Sequence, residues 1–187
     1  GADIMVKVDG DGQMDPSLVP ALIRPILNGD ADYVKGNRFF SADTVIKMPK
    51  VRLLGNAGLS FMSKLSSGYW DLMDPTNGFT AIEARVAAQI PWERLHPRWF
   101  FETDVLFRLA ILRARVLELP MTAVYADEES NLSVTQTLLT FPFLHARNFA
   151  KRIVYNYFLR DFSVASLMLV AGTSLTGFGV AFGAFQW

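Results

Sequence analysis

The fold is decided at Ile4-Met5-Val6-Lys7-Val8-Asp9-Gly10-Asp11-Gly12-Gln13. The apolar, mostly β-branched run reads as a buried strand, and the glycines break it into a turn. Two carboxylates two residues apart at a strand's end can converge on one hard cation, and Gln13 adds a neutral oxygen. Such oxygen donors suit Mg²⁺ or Mn²⁺, which often bridge to substrate phosphates. Asp-Gly pairs also form ordinary turns, so the pattern alone leaves both readings open. A calcium EF-hand loop would place Gly at the sixth position and Glu at the twelfth; Met14 and Pro20 stand there instead.

At 187 residues, one domain is the default. The 18 basic and 18 acidic residues cancel, so no global field points to nucleic acid. Cysteine is absent, which excludes disulfides, thiolate metal sites and a cysteine nucleophile. No signal peptide is visible, and Gly1-Ala2-Asp3 leads straight into a core-like strand. That opening reads as a chain that begins inside a domain.

Downstream of the turn, Pro16 to about Leu27 has a helical apolar face, ended by Asn28-Gly29-Asp30, with Pro25 expected to kink or shorten it. Ala31 to Gly36 reads as a short strand, giving β-α-β order, and Asn37-Arg38 follows. An Arg at a strand's C-terminal end stands where open α/β sheets bind ligands, or is a solvated loop residue. Residues 41–50 read as loop. Val51 to about Leu65 is helical in pattern, and Arg52 and Asn56, four apart, share one face. They can hold a phosphate or simply face water. Asp74-Pro75-Thr76-Asn77-Gly78-Phe79 is a turn by composition, leading into a strand through Ile82. A helix is expected over Trp99 to Leu112, carrying Glu102 and Asp104, then a strand over Val116 to Val124.

Residues 134–160 read as a long amphipathic helix, which Pro142 can break. Arg147, Lys151, Arg152 and Arg160 alternate with aromatic and aliphatic residues, which fits a membrane interface facing the cytoplasm. Phe162 to Trp187 carries no charge and exceeds the roughly 20 apolar residues that span a bilayer. Gly179 and Gly183 form a small-xxx-small pair within it.

Taken in order, strand–Asp-x-Asp-x-Gln, strand–Gly-Asn-Arg, Asp-Pro-Thr-Asn-Gly-Phe, an acidic helix, a strand before Asp-Glu-Glu-Ser-Asn-Leu-Ser, a basic helix and a span resemble the family 2 glycosyltransferases. The likeness is to the polyprenyl-phosphate glycosyltransferases similar to dolichol-phosphate mannose synthase. It implies an α/β GT-A fold: a mixed sheet with the metal turn at its centre. Residues 1–133 would form part of the catalytic domain, without the N-terminal nucleotide-binding half. Residues 134–161 would form an interfacial helix region, and 162–187 one helix of a truncated membrane hairpin.

The resemblance implies metal-dependent, inverting transfer of a sugar from a nucleotide-sugar donor to a polyprenyl phosphate at the cytoplasmic membrane face. Asp9, Asp11 and Gln13 would hold Mg²⁺ or Mn²⁺ on the donor diphosphate. Arg38 would meet the acceptor phosphate, with Arg52 and Asn56 as a second phosphate contact. Asp74 resembles an acidic residue proposed as a base, and Glu102 and Asp104 are rivals for that role. Processive polysaccharide synthases carry Gln-x-x-Arg-Trp; here Arg98-Trp99 is present but Leu95 replaces Gln, which disfavours processive synthesis. The loop after the last strand often carries basic residues in lipid-phosphate transferases, whereas Asp127, Glu128 and Glu129 are acidic. Two alternatives stand beside this reading: a family 2 transferase acting on a growing glycan, and a non-catalytic membrane-associated fragment. The chain alone is expected to be inactive, because base and ribose contacts would lie before Gly1.

Overall fold

The computed structural model describes residues 1–10, 12, 14–40, 50–122 and 134–186; the side chains of 50–52, 98 and 134–138 are not described. Two compact units emerge, Gly1–Phe149 and Ala150–Trp187. The first is built on a mixed sheet of four strands, β1 (Ile4–Lys7), β2 (Tyr33–Asn37), β3 (Thr80–Glu83) and β4 (Val116–Pro120), in the order β1-β3-β2-β4. β3 is antiparallel to both β1 and β2, while β2 and β4 are parallel. β1, β2 and β4 therefore run the same way, and their C-terminal ends share one edge with the N-terminal end of β3.

Alternation along the strands splits the core into two layers. Val34 and Ala81 face helix α1 (Val19–Leu27), where they pack with Leu22, Ile26 and Phe79. Tyr33 and Ile82, their neighbours in sequence, face the other way. They pack with Leu106 and Leu109 of α4 (Phe101–Leu112), which follows helix α2 (Lys50–Ser67) and the short helix α3 (Ala84–Ala87) in chain order. Covered on both sides, every residue of β2 is buried. α1 runs through Pro25 and ends two residues later, as a proline near a helix's last turn allows.

Several elements differ from expectation. β1 forms, but it is an edge strand rather than a buried one: Met5 and Val6 are 43% and 37% exposed. Its strand partner among the described residues is β3. β4 ends at Pro120, and residues 123–133, with the acidic loop, lie outside the described residues. Helix α5 (Val134–Val154) does not break at Pro142 but continues, then widens to a π-helical turn over Tyr155–Arg160. Its continuity is supported by a packed face: Phe141 and Leu144 meet Phe100, Leu59 and Met62.

The second unit contains α6 (Val164–Gln186), a 23-residue helix with mean hydropathy 1.7, only 6% of whose most apolar window is buried. It is long and apolar enough to cross a membrane. Thr173 and Thr176 donate their hydroxyls to backbone carbonyls one turn back, so these polar groups are satisfied within the helix.

Candidate active site

The site lies at the shared strand edge, where open α/β sheets bind ligands. Two tight glycine contacts shape it. Gly36 lets the 74–79 turn close on β2: a Cβ there would stand 2.3 Å from Met121 Sδ and 2.9 Å from Asn77 Nδ2. Asn77 locks the turn by accepting from Phe79 N at 3.0 Å. Gly78 then forms a cradle for Asp9, since a Cβ there would fall 2.1 Å from Asp9 Oδ2 and 2.8 Å from Lys7 Nζ.

Lys7, at the end of β1, joins two acidic groups. Its ammonium lies 2.9 Å from Asp9 Oδ1 and 2.8 Å from Glu102 Oε1, on the first turn of α4. Burial pulls the Lys7 ammonium down, but its bonds to Glu102 and Asp9 outweigh this and hold it above the ordinary lysine value. Glu102 also lines a cavity of about 230 Å³ with Lys7, Tyr33, Thr80 and Trp92. Among the described residues no group of three His, Cys, Asp or Glu side chains is placed to hold a metal ion. Asp11 and Gln13 lie outside the described residues, and of the expected ligands only Asp9 is seen.

Arg38, directly after β2, is clamped by Asp74. Its Nε donates to Oδ2 at 2.7 Å and Nη2 to Oδ1 at 2.9 Å, while the backbone N–H donates to Oδ2 at 3.1 Å. Nη2 also reaches Thr76 Oγ1 at 3.3 Å. Asp74 is fully buried and the Arg38 side chain is 21% exposed, so solvent reaches part of the cation's side chain but not the carboxylate. The neighbours of this pair, Phe39 and Met73, open an apolar groove of about 320 Å³ against Leu53, Ala57 and Phe61 of α2, with Asn56 on its wall. The Arg52 side chain is outside the described residues.

The third carboxylate on the expected list, Asp104, is 1% exposed. It accepts from the His96 backbone N–H and from Asn148 Nδ2, both at 3.0 Å, and so ties α4 to α5. The structure thus joins Arg38 with Asp74, and Asp9 with Glu102 through Lys7, and sets Asp104 apart.

Two charged residues with no role assigned from sequence belong to this edge. Glu118 of β4 accepts three N–H groups around Arg38. Lys35 of β2 is fully buried, and its Nζ has no hydrogen-bond partner among the described residues. Burial pushes its pKa down to about 8 against the pull of Asp74, Glu118 and Glu102, with Arg38 adding to the fall. Both look like ordinary strand residues in sequence. Only the apolar neighbours of Lys35 in Tyr33-Val34-Lys35-Gly36 hint at a buried charge.

Because burial costs the Lys35 ammonium more than the nearby carboxylates return, Lys35→Met should stabilise the chain by up to about 3 kcal/mol, the equivalent of its lowered pKa. Chemical unfolding in detergent micelles measures this. A loss of stability would show that the ammonium is better paired than the geometry indicates.

No protein-family model matches the chain. It is 32% identical over 129 residues to a UDP-N-acetylglucosamine–dolichyl-phosphate N-acetylglucosaminyltransferase of Methanococcus voltae, covering 68% of this chain and 50% of that one. It is 29% identical over 135 residues to an undecaprenyl-phosphate mannosyltransferase of Micrococcus luteus, covering 71% and 54%. The chain is related to the polyprenyl-phosphate glycosyltransferases. It spans about half the length of these curated relatives. A dolichol-phosphate mannosyltransferase of Pyrococcus furiosus is 30% identical over 134 residues, covering 70% and 36%. Among solved structures it is similar to glucosyl-3-phosphoglycerate synthase from Mycobacterium tuberculosis in complex with Mn²⁺, uridine-diphosphate-glucose and phosphoglyceric acid. There the TM-score is 0.55 at 16% identity, covering 81% of this chain and 50% of that one. That likeness is one of fold, a mixed α/β sheet of the GT-A glycosyltransferase kind.

Proposed function

We propose that this chain carries the metal and acceptor-phosphate part of a transferase that moves one sugar from a nucleotide-sugar donor to a polyprenyl phosphate, inverting the anomeric carbon. The observation that carries this reading is the Arg38–Asp74 clamp beside an apolar groove. A fixed guanidinium next to an apolar channel matches a ligand that is a phosphate at one end and an isoprenoid at the other. Arg38 meets the acceptor phosphate, Arg52 and Asn56 support it from α2, and Phe39, Leu53 and Phe61 receive the first isoprene units. The acceptor phosphate is already anionic at neutral pH, so it needs positioning more than deprotonation.

The oxygen donors Asp9, Asp11 and Gln13 fit a hard divalent cation, and the exposed Asp9 carboxylate in its Gly78 cradle is consistent with that. Mn²⁺ or Mg²⁺ bound there would neutralise charge on the departing nucleoside diphosphate. Of the three candidate bases, Asp74 is committed to Arg38 and Asp104 to His96 and Asn148. Glu102 has one oxygen paired with Lys7 and lies part-exposed on a cavity, which supports it as the remaining base candidate in this reading. α6 crosses the membrane, and Arg147, Lys151, Arg152 and Arg160 keep the catalytic unit on the cytoplasmic side.

The protein expressed from its complete gene, in membranes with Mn²⁺, a nucleotide sugar and polyprenyl phosphate, should release nucleoside diphosphate and form an organic-extractable sugar lipid. Asp11→Asn should abolish both. Full activity in that variant would sink the metal assignment, and label confined to a water-soluble glycan would sink the acceptor assignment.

A further inference from the structure

Glu118 stands on β4, one strand away from Arg38, yet its carboxylate grips both segments that fix the guanidinium. Oε1 accepts from the backbone N–H groups of Met73 at 2.9 Å and Asp74 at 2.8 Å. Oε2 accepts from Asn37 Nδ2 at 2.7 Å and again from Met73 N–H at 3.0 Å. Asn37 immediately precedes Arg38 and accepts the Phe39 N–H through its Oδ1 at 2.8 Å. Asp74 in turn closes on Arg38. One carboxylate thus joins the end of β2 to the turn carrying the Arg38 counter-ion.

We propose that Glu118 is a positioning residue for acceptor-phosphate binding: by holding Asn37 and the Met73–Asp74 backbone, it fixes the Asp74 clamp and so the direction of the Arg38 guanidinium. The inference rests on the reading that Arg38 meets a phosphate. The charge of Glu118 matters as well as its shape. Its oxygens serve only as acceptors when ionised, which matches three N–H donors, whereas an amide would turn an N–H₂ toward one of them. Lys35, buried, is the register partner of Glu118 on β2, and the carboxylate attracts its ammonium.

The test uses the 187-residue chain in detergent micelles with farnesyl phosphate as the probe and circular dichroism as the folding control. Arg38→Lys keeps the charge but loses the planar fork, and should weaken binding. Glu118→Gln should weaken it by roughly 5–30-fold, as loss of a charge-assisted contact does. The double variant should bind no worse than Arg38→Lys alone, because Glu118 acts through Arg38. The Arg38 Nε–H resonance, which reports its bond to Asp74, should move in Glu118→Gln. Unchanged binding in Arg38→Lys would overturn the phosphate reading itself. Weakened binding there with none in Glu118→Gln, or additive losses in the double variant, would overturn the positioning role alone. If Glu118→Gln fails to fold, amide exchange in the unaltered chain decides: Met73 and Asp74 N–H groups should be protected, and free exchange at both overturns the proposal.

Discussion

Arg38→Ala should destabilise the chain by about 3–5 kcal/mol, the cost of breaking a buried ion pair by removing one partner. Asp74 is completely buried, and two of its three bonds to Arg38 come from the guanidinium. Without the side chain, the carboxylate keeps only the residue 38 backbone N–H from that set. A carboxylate left under-satisfied in an apolar setting must be protonated or rehydrated, and either course loosens the 74–79 turn. The companion variant is diagnostic. Arg38→Ala with Asp74→Ala removes the stranded charge, so the double should be more stable than Arg38→Ala alone. Chemical unfolding in micelles reads both. A double variant that loses the sum of the two singles would mean that the two side chains are energetically independent. The same geometry argues against Asp74 as a free base, because both oxygens are engaged by a guanidinium that is itself part-exposed to the proposed ligand.

The order of elements was legible because it rests on local pattern. Leu22 and Ile26 at helical spacing, the strand over Tyr33–Asn37 and the uncharged run at Val164–Gln186 need no knowledge of partners. The pairing of Arg38 with a carboxylate was not legible, although both residues were singled out. It depends on Gly36 admitting the 74–79 turn, and a missing Cβ cannot say what fills the space. The exposure of β1 was not legible, because an apolar β-branched run reads alike at a sheet's edge and centre; only strand order separates them. Glu118 and Lys35 escaped for a related reason. A charged residue within a strand alternates in or out by register, and register is a long-range property. Whether Pro142 breaks its helix was not decided by the local rule, because tertiary packing overrides it here: Phe141 and Leu144 hold the helix on either side.

Acidification should undock that same helix. His145 of α5 is 5% exposed and sits edge-on to Phe100 at 5.0 Å and Phe141 at 6.4 Å. Ser66 Oγ lies 2.9 Å from its Nδ1, and the Met62 backbone bonds to the ring. Burial pushes its pKa from 6.5 down to about 4, against the opposing pull of that backbone bond. The ring is therefore neutral in the fold at pH 7. Between pH 6.5 and 4 the unfolded chain binds the proton and the folded chain does not, so stability is present above pH 6.5 and drains away as pH falls toward 4. The 2.5-unit gap corresponds to about 3 kcal/mol at most. Carboxylates also titrate in this range, so the measurement is a difference. His145→Gln, which cannot take up the proton, should lose less stability than the unaltered chain between pH 7 and 4, the two curves converging by up to about 3 kcal/mol. Parallel curves would mean that His145 is already solvated in the fold. The consequence reaches the site through Phe100 and Asp104. His145 holds α5 against Phe100, at the start of α4, and three residues on Asn148 bonds Asp104. That end of α4 presents Glu102 to Lys7, so Glu102 should lose its fixed place in the same pH range in which α5 undocks.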